Sequence, residues 1–241
     1  MVGDNPASRA YVNGKKRDCE DCGIDFELIQ FDEKVKQRTI EKTIATLNED
    51  YTVDGILVQL PLPSHLDKNS IIDSISPNKD VDCFSKINLG RLFLNRPMYK
   101  PCTPAGIMEL LNYYKIPLVG KHCVIIGRSD IVGKPLATML INVGATVTVC
   151  NSHTQDLTSF TRNADIVICA VGKPKFLTAE MIKDGAVVID VGINRDENNK
   201  LCGDVDFENV KTKASAITPV PGGVGLMTRA ALMANILESA F

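Results

Sequence analysis

Three polar residues near the start of the chain have the types and the spacing of a proton-handling site. Ser8, Tyr11 and Lys15 stand at positions i, i+3 and i+7, so on a helix they share one face. A tyrosine ring can stack on an aromatic substrate while a neighbouring lysine accepts or donates a proton. An exposed lysine on a helix is ordinarily only solvated, so both interpretations stay open on the spacing alone.

Two further polar residues follow segments that read as extended. Gln59 lies near the end of the apolar run 55–60, and Asp82 ends the segment Lys79-Asp80-Val81-Asp82. A polar residue at the end of a strand can face a ligand crevice, although many such residues only close a loop. Gln59 and Asp82 are therefore candidates for a substrate site.

A glycine-containing turn between a predicted strand and a predicted helix indicates a nucleotide site. The apolar run 123–126 is followed by Gly127-Arg128-Ser129-Asp130-Ile131-Val132-Gly133. Glycines that leave a strand and open a helix bring backbone N–H groups to a pyrophosphate. Ser129 stands where the usual fingerprint has its middle glycine, and an ordinary structural turn is the alternative.

The end of the next predicted strand favours NADP over NAD. An NAD site usually places a carboxylate roughly twenty residues further on, where it holds the ribose hydroxyls. Here the strand ends in Cys150-Asn151-Ser152-His153, without a carboxylate. Arg128, Ser152 and His153 can instead donate hydrogen bonds to a ribose 2′-phosphate. For His153, a solvent-exposed loop position is the alternative.

The loop 218–225 carries paired glycines and two prolines before the last predicted helix. Glycine lets a backbone approach a flat ring closely, and proline stiffens a loop. An ordinary turn is the alternative. Because the loop follows a predicted strand, we expect Pro221, Gly222 and Gly223 at the carboxyl edge of a sheet, where ligands bind.

The elements that must position these residues alternate between helix and strand, which is typical of an α/β fold with a largely parallel sheet. We expect two lobes around a cleft: residues 1–104 with the C-terminal helix 229–241, and a Rossmann-like lobe over 105–228. Helices are predicted from Pro6 to before Gly23 and over 33–48, 67–75, 105–114, 134–143 and 224–238. Strands are predicted over 24–28, 55–60, 122–127, 146–150, 166–171, 187–191 and 216–217.

Composition narrows the class of protein. The 27 basic and 29 acidic residues give a net charge of −2, which offers no footprint for nucleic acid. The apolar runs have the length of strands, not of membrane spans, and no secretion leader opens the chain. Cys19 and Cys22 form a single Cys-x-x-Cys motif with no second pair nearby, whereas structural zinc usually needs four ligands. We therefore expect a reduced, cytoplasmic protein without a metal site.

Seven sequence blocks occur in the order typical of one enzyme family. The blocks are Val2-Gly3-Asp4-x-Pro6-Ala7-Ser8-x-x-Tyr11-Val12-x-x-Lys15, Gly55-Ile56-Leu57-Val58-Gln59-Leu60-Pro61-Leu62-Pro63, Lys79-Asp80-Val81-Asp82, Pro101-Cys102-Thr103-Pro104, Gly127-Arg128-Ser129-x-Ile131-Val132-Gly133-Lys134-Pro135, Asp190-Val191-Gly192-Ile193-Asn194 and the loop 219–225. On these blocks the chain resembles the bifunctional methylenetetrahydrofolate dehydrogenase/methenyltetrahydrofolate cyclohydrolase family over essentially its whole length.

The resemblance implies roles for individual residues. By this resemblance, Lys15 is the lysine of the cyclohydrolase step, and Gln59 is hydrogen-bonded to it. Tyr11 is a stacking partner for the aminobenzoyl group of the folate, and Asp82 is the carboxylate that recognises the pterin. The implied catalytic residues are Lys15, Gln59, Tyr11 and Asp82; the implied tetrahydrofolate-binding residues are Ser8, Tyr11, Gln59, Leu60, Pro61, Asp82, Pro221, Gly222 and Gly223. The implied NADP-binding residues are Gly127, Arg128, Ser129, Val132, Gly133, Ser152, His153, Gly192, Ile193 and Thr228. A homodimer through the NADP lobes is also implied.

The chain departs from the family pattern at a few positions. The family normally has a helix and a strand before the Val-Gly-Asp segment. The strand would belong to the sheet of the folate lobe, so its absence could expose apolar edges and misplace residues 8–15. Cys83 stands where glycine usually follows the aspartate, so a positive φ there would strain the backbone. Asn151 and Leu226 are milder departures. The alternative functions are a dehydrogenase of another small substrate and an inactive NADP-binding relative.

Overall fold

The computed structural model describes residues 1–240 and divides the chain into two compact units. The first unit contains Met1–Lys100 and the C-terminal residues from Arg229 onward, and the second contains Pro101–Thr228. The boundary therefore falls between Lys100 and Pro101, slightly before the position chosen from the sequence. Helix α9, Val224–Ser239, spans the second boundary.

The first unit is built around helices. They are α1 (Pro6–Asp21), α2 (Gln37–Glu49), α3 (Lys68–Asp73), α4 (Lys86–Phe93) and the larger part of α9. Ile40 and Ile44 lie four residues apart on α2, so they share one face. That face packs into a core with Val2, Ile56 and Ile71. The helix α4 was not predicted.

Local signals place both ends of α1 as the sequence predicts. At the start, the Asn5 side chain accepts a hydrogen bond from the backbone N–H of Ser8 at 3.2 Å, and Pro6 occupies the first turn. At the end, Gly23 adopts φ +70°, and the N–H of Ile24 returns to the carbonyl of Cys19 at 2.8 Å. Glycine favours this left-handed cap because it has no Cβ.

The two segments predicted as strands in the first unit do not form β-strands, so these predictions are wrong. Residues 24–28 form no ladder, and residues 55–60 form only the isolated parallel bridge between Ile56 and Asp80. A second isolated bridge joins Val2 to Phe31. Alternation of apolar and polar residues predicts which side of an extended segment is exposed, but a strand also needs a hydrogen-bonding neighbour. The sequence pattern contains no information on that neighbour.

The second unit is a Rossmann-like layer of helices on a parallel sheet, which confirms the predicted fold class. Its five strands lie in the order β2-β1-β3-β4-β7, and β5 pairs with β6 as a separate antiparallel hairpin. The elements in chain order are α5 (Cys102–Tyr113), β1 (His122–Ile126), α6 (Gly133–Asn142), β2 (Thr146–Cys150), α7 (Leu157–Thr161), β3 (Ile166–Cys169), a 3₁₀ turn (Ala179–Met181), β4 (Val187–Asp190), β5 (Asn194–Arg195), β6 (Leu201–Cys202), α8 (Phe207–Val210) and β7 (Ala216–Ile217).

Both faces of this sheet are covered. Strand β1 directs Ile125 into one apolar cluster with Leu136 and Ile168, and Val124 into the other cluster with Val167. Strands buried on both faces read as continuous apolar runs, which is why the sequence predicted β1, β3 and β4 well. The helices α7 and α8 and the β5–β6 hairpin are short, and no sequence pattern predicted them.

The strand register brings the carboxyl ends of the strands to one edge. Ile126 is opposite both Cys150 and Cys169, and Cys169 is opposite Asp190. The loops that begin at residues 127, 151, 170 and 191 therefore leave the sheet at the same edge. Ligands of open α/β sheets bind at this edge.

Residues 1–240 contain no helix that is long and apolar enough to cross a membrane. Within the same residues, no group of three or more His, Cys, Asp or Glu side chains is placed to hold a metal ion. All eight cysteines are free thiols; Cys19 is buried while Cys22 is exposed.

Candidate active site

The side chains of Lys15 and Gln59 meet in the first unit. Lys15 Nζ donates a hydrogen bond to Gln59 Oε1 at 3.2 Å, and Gln59 Nε2 donates to the carbonyl of Leu60 at 2.7 Å. Because the amide nitrogen is held by Leu60, the amide oxygen is the group that faces the lysine. The Leu60–Pro61 peptide bond that follows is cis. This geometry presents the lysine at a defined point beside a neutral acceptor.

Helix α1 presents Ser8 and Tyr11 on the face that carries Lys15. Ser8 is buried, whereas Tyr11 leaves 38% of its surface exposed. Burial of the rest of the phenol raises the pKa of Tyr11 above its ordinary value, so the hydroxyl stays neutral at physiological pH. The exposed ring is therefore free of charge and can stack on a flat aromatic group.

The segment that contains Asp82 lies beside the segment that ends at Gln59. The N–H of Ile56 donates to the carbonyl of Lys79 at 2.7 Å, and Ile56, Val58 and Asp82 line one small depression. The structure therefore brings Asp82 near the extended residues before Gln59. A carboxylate there can accept hydrogen bonds from an amino-substituted ring.

Residues that the sequence reasoning missed hold this segment in place. Lys79 Nζ donates to the carbonyls of Leu47 and Asp50, at 2.8 and 2.6 Å, just where α2 ends. The buried carboxylate of Asp80 accepts from the N–H of Ser85 at 2.9 Å and from Asn88 Nδ2 at 3.0 Å. A buried carboxylate is stable only with such partners. Lys79 and Asp80 were visible as part of a motif, but their anchoring contacts were not.

Cys83 adopts the left-handed backbone conformation. The family pattern has glycine at this position, and a positive φ was expected to strain a cysteine there. Its φ is 60°, and its side chain is fully buried with Sγ donating to the carbonyl of Tyr99 at 3.2 Å. Desolvation raises the pKa of this thiol far above its ordinary value. A residue with a Cβ pays about 1–2 kcal/mol in this region, so Cys83 is strained next to Asp82.

The turn from β1 to α6 requires glycine at both ends. Gly127 has φ 127°, and a Cβ there would lie 2.3 Å from the carbonyl oxygen of Ala170. A Cβ on Gly133 would lie 2.1 Å from the carbonyl oxygen of Gly127. At both positions the neighbouring backbone therefore comes closer than a residue with a Cβ would allow, so only glycine fits this turn.

Ser129 has a structural role inside this turn. Its Oγ accepts from the N–H groups of Val132 at 3.2 Å and of Gly133 at 3.4 Å, which are among the first donors of α6. Ser129 thus stabilises the turn where the usual fingerprint has glycine. Arg128 remains exposed at the mouth of the turn, and Lys134 pairs with Asp130 at 2.6 Å.

The turn after β2 exposes Ser152 and His153. Asn151 Oδ1 accepts from the N–H of His153 at 3.0 Å, and the N–H of Asn151 donates to Thr154 Oγ1 at 2.9 Å. Asn151 therefore shapes the turn and leaves the next two side chains in solvent. The next carboxylate along the chain, Asp156, caps α7 through the N–H of Ser159.

The remaining predicted residues also lie in the second unit. Gly192 is buried and donates its N–H to Asp190 Oδ1 at 3.0 Å, whereas Ile193 is 48% exposed. Pro221 and Gly222 are exposed after the cis Val220–Pro221 bond. Thr228 Oγ1 lies 3.0 Å from both Thr103 Oγ1 and the carbonyl of Val224, so its hydroxyl is engaged within the unit.

The predicted residues thus divide between the units. Ser8, Tyr11, Lys15, Gln59, Leu60, Pro61 and Asp82 belong to the first, and the candidate nucleotide residues together with 221–223 belong to the second. Lys15 and Gln59 come from distant parts of the sequence and meet in the first unit, and Asp82 lies beside the residues that precede Gln59.

Comparison with known proteins agrees with this division. A family model described as "Tetrahydrofolate dehydrogenase/cyclohydrolase, catalytic domain" matches residues 1–82, and its "NAD(P)-binding domain" counterpart matches residues 101–241. The chain is 54% identical to "Bifunctional protein FolD" of Agathobacter rectalis over 239 residues, which are 99% of the chain and 86% of that relative.

Two solved structures are close in both sequence and fold. The bifunctional methylenetetrahydrofolate dehydrogenase/cyclohydrolase FolD of Campylobacter jejuni is 53% identical with a TM-score of 0.98, covering 99% of this chain and 85% of that one. The Trypanosoma brucei dehydrogenase-cyclohydrolase, solved with NADP cofactor and inhibitor, is 39% identical with a TM-score of 0.95, covering 99% and 84%.

Proposed function

The chain belongs to the tetrahydrofolate dehydrogenase/cyclohydrolase family, and we propose that it oxidises 5,10-methylene-tetrahydrofolate with NADP and hydrolyses the methenyl product to 10-formyl-tetrahydrofolate. It is a bifunctional enzyme of one-carbon metabolism with a dehydrogenase and a cyclohydrolase activity. The assignment of individual residues to the two reactions is our proposal.

The second unit holds the oxidant. NADP, when bound, accepts a hydride from the methylene carbon, and the folate nitrogens supply the electron density that releases it. The turn from Gly127 to Gly133 is the proposed pyrophosphate site, because it leaves β1 at the carboxyl edge of the sheet and leads into α6. Arg128, Ser152 and His153 are exposed donors that hold the ribose 2′-phosphate. Val132, Gly192, Ile193 and Thr228 complete the proposed nucleotide contacts.

The first unit binds the folate and carries out the hydrolysis. Tyr11 stacks on the aminobenzoyl ring, Asp82 accepts hydrogen bonds from the pterin, and Ser8, Leu60 and Pro61 contribute contacts. The methenyl cation is attacked by water, and one proton must leave that water as the formyl group forms. Lys15 takes up and passes on this proton, while Gln59 holds the amine without adding charge.

One observation carries the hydrolytic part of the proposal. The hydrogen bond between Lys15 Nζ and Gln59 Oε1, at 3.2 Å, gives this lysine the oriented position that a general base requires. A dehydrogenase of another small substrate would need neither residue. Pro221, Gly222 and Gly223 are proposed as further folate contacts from the sequence pattern.

The decisive experiment combines both reactions in one cuvette. The protein is mixed with NADP and 5,10-methylene-tetrahydrofolate, and NADPH formation is followed together with the methenyl absorbance. NADPH formation with transient methenyl absorbance supports the bifunctional assignment. Binding of NADP without either reaction would contradict it and favour an inactive NADP-binding relative.

We also propose a homodimer formed through the second units and a cytoplasmic location. Strand β2 is the edge of the described sheet, and Ile141, Val143 and Val149 are exposed around it. An unpaired edge with apolar neighbours favours pairing with a second copy. The free thiols fit a reducing compartment. Sedimentation equilibrium tests the dimer, and a monomer at micromolar concentration would contradict it.

A further inference from the structure

Two buried carboxylates of the second unit have no role in the mechanism above. Asp190 ends β4 and is 2% exposed, and Asp204 follows β6 and is fully buried. A buried carboxylate is costly unless donors surround it. Here the donors are backbone N–H groups of loops at the carboxyl edge of the sheet, so the two carboxylates hold loops together.

Asp204 binds three consecutive backbone N–H groups in the loop after β3. Its Oδ2 accepts from Val171 at 2.6 Å and Gly172 at 2.9 Å, and its Oδ1 accepts from Lys173 at 2.8 Å. Successive N–H groups that converge in this way form an anion-binding nest. The protein fills this nest with its own carboxylate, which fixes the path of residues 171–173.

The same carboxylate also reaches the loop after β4. Asn194 Nδ2 donates to Asp204 Oδ1 at 2.8 Å, and a Cβ on Gly192 would lie 2.2 Å from that oxygen. Asp204 therefore borders Gly192 and anchors Asn194, on both sides of Ile193. One side chain thus determines the positions of two neighbouring loops.

Asp190 in turn holds Asp204. Its Oδ1 accepts from the N–H of Asp204 at 2.8 Å, and its Oδ2 accepts from the N–H of Val205 at 3.0 Å. A Cβ on Gly203 would lie 1.8 Å from Oδ2, so the approach is as close as the backbone permits. Asp190, at the end of β4, thereby fixes the position of Asp204, whose carboxylate binds the two loops.

The sheet order determines which part of a dinucleotide these loops face. Strand β2, followed by Ser152 and His153, lies on one side of β1, and β3 and β4 lie on the other. A dinucleotide whose pyrophosphate lies at the turn after β1 extends over both sides of that strand. With the adenosine ribose at β2, the nicotinamide half lies over the loops after β3 and β4.

From these contacts we propose that Asp204 is a positioning residue for the nicotinamide half of NADP, and that Asp190 keeps Asp204 in place. The proposal rests on the proposed function of the second unit. Asp204 touches no reacting atom in this account. It acts through residues 171–173 and 192–194, whose backbone forms the surface under the ring.

The test uses Asp204→Asn in the full-length protein, with Asp206→Asn as the matched control. Asp206 lies two residues away, and its carboxylate binds the Asn209 side chain instead of the loops. For Asp204→Asn we expect NADPH formation to fall about tenfold or more in kcat, because alignment in the transition state contributes strongly to rate. Hydrolysis of added methenyl-tetrahydrofolate should stay within about twofold of wild type.

A binding measurement separates positioning from a general loss of structure. Calorimetric titration with NADP and with 2′-phospho-ADP-ribose, which lacks nicotinamide, should show a loss of affinity confined to the complete dinucleotide. Equal losses for both ligands, or a parallel fall of both activities, would overturn the proposal. If Asp204→Asn does not fold, Asn194→Ala, which removes one of the four contacts, should give a smaller loss of the same kind.

The wild-type protein in the same experiment distinguishes the two levels of inference. If the wild-type protein forms no NADPH, the proposed function is contradicted. The affinities of wild type and of Asp204→Asn for the two ligands then still test the role of Asp204. Wild type with full activity and an Asp204→Asn variant indistinguishable from it would leave the function intact and reject the positioning role.

Discussion

Lys15 Nζ lies 3.2 Å from Gln59 Oε1, although 44 residues separate the two in sequence. The contact joins helix α1 to the extended segment that precedes the cis Leu60–Pro61 bond. Because Gln59 also donates to its neighbour's carbonyl, the amide is held from both ends. An amine oriented by a neutral amide can exchange a proton with a substrate water without bringing a permanent opposite charge to the site.

Replacing Lys15 by Met should abolish cyclohydrolase activity, because the variant keeps the length of the side chain but cannot carry a proton. General acid–base groups typically contribute about 10²–10⁴-fold in rate. Affinity for NADP should remain nearly unchanged, since the nucleotide residues lie in the other unit. Methenyl hydrolysis and NADP titration measure the two effects.

Lys16→Met is the matched control for this prediction. Lys16 is exposed and pairs with Glu20 at 3.8 Å on the helix surface, so its loss should leave hydrolysis close to wild type. Equal loss of hydrolysis and of NADP affinity in Lys15→Met would contradict the assigned role.

Arg128→Ala should weaken NADP binding more than NAD binding. The exposed guanidinium can bind the 2′-phosphate with charge-assisted hydrogen bonds, which contribute about 1.5–3 kcal/mol each. We expect the ratio of the two dissociation constants to change by about tenfold or more, measured by titration with both nucleotides. A uniform loss for NADP and NAD would place Arg128 at the pyrophosphate instead.

A protein with glycine at residue 83 should be more stable than one with alanine there, although alanine is ordinarily the more stabilising of the two residues. Both variants lose the buried thiol, but only alanine keeps a Cβ at φ 60°. The left-handed region costs a residue with Cβ about 1–2 kcal/mol, so Cys83→Gly should exceed Cys83→Ala by about 1 kcal/mol in the free energy of unfolding. Urea denaturation measures the difference, and an alanine variant as stable as the glycine variant would refute the strain.

Asp190 should make stability decline as the pH rises from about 4 to about 6. Desolvation raises the pKa of Asp190 from its ordinary value of 3.8 to about 6, with Asp204 adding to the effect while three backbone N–H groups oppose it. Below pH 3.8 the carboxyl is protonated in both states. Between the two values the unfolded chain ionises while the folded protein keeps its proton, so rising pH favours unfolding.

The measurement compares wild type with Asp190→Asn over this pH range. From pH 4 to pH 7 the free energy of unfolding of wild type, relative to the variant, should fall by up to about 3 kcal/mol. Taking the difference cancels the titration of the carboxyl groups that do not interact with Asp190. A difference that stays constant with pH would show that Asp190 does not titrate in this range.

Several structural features were predictable because their causes are local. Asn5 and Gly23 delimit α1 through a side-chain cap and a left-handed glycine. The apolar runs around Ile125 and Val188 became central strands because strands covered on both faces need apolar residues at every position. The predictions of strands over 24–28 and 55–60 were wrong, since a strand needs a hydrogen-bonding partner elsewhere in the chain.

By itself the sequence determined the fold class, the family and the identities of the candidate residues, because periodicity and motif order are properties of consecutive residues. Only the tertiary structure decided which of these residues meet. Gln59 reaches Lys15, and Asp204 binds a loop whose residues lie more than thirty positions before it. No local pattern predicts Asp204, since its role exists only where the β3 and β4 loops leave a shared sheet edge. Contacts of this kind depend on the packing of distant segments, and packing is a property of the folded chain.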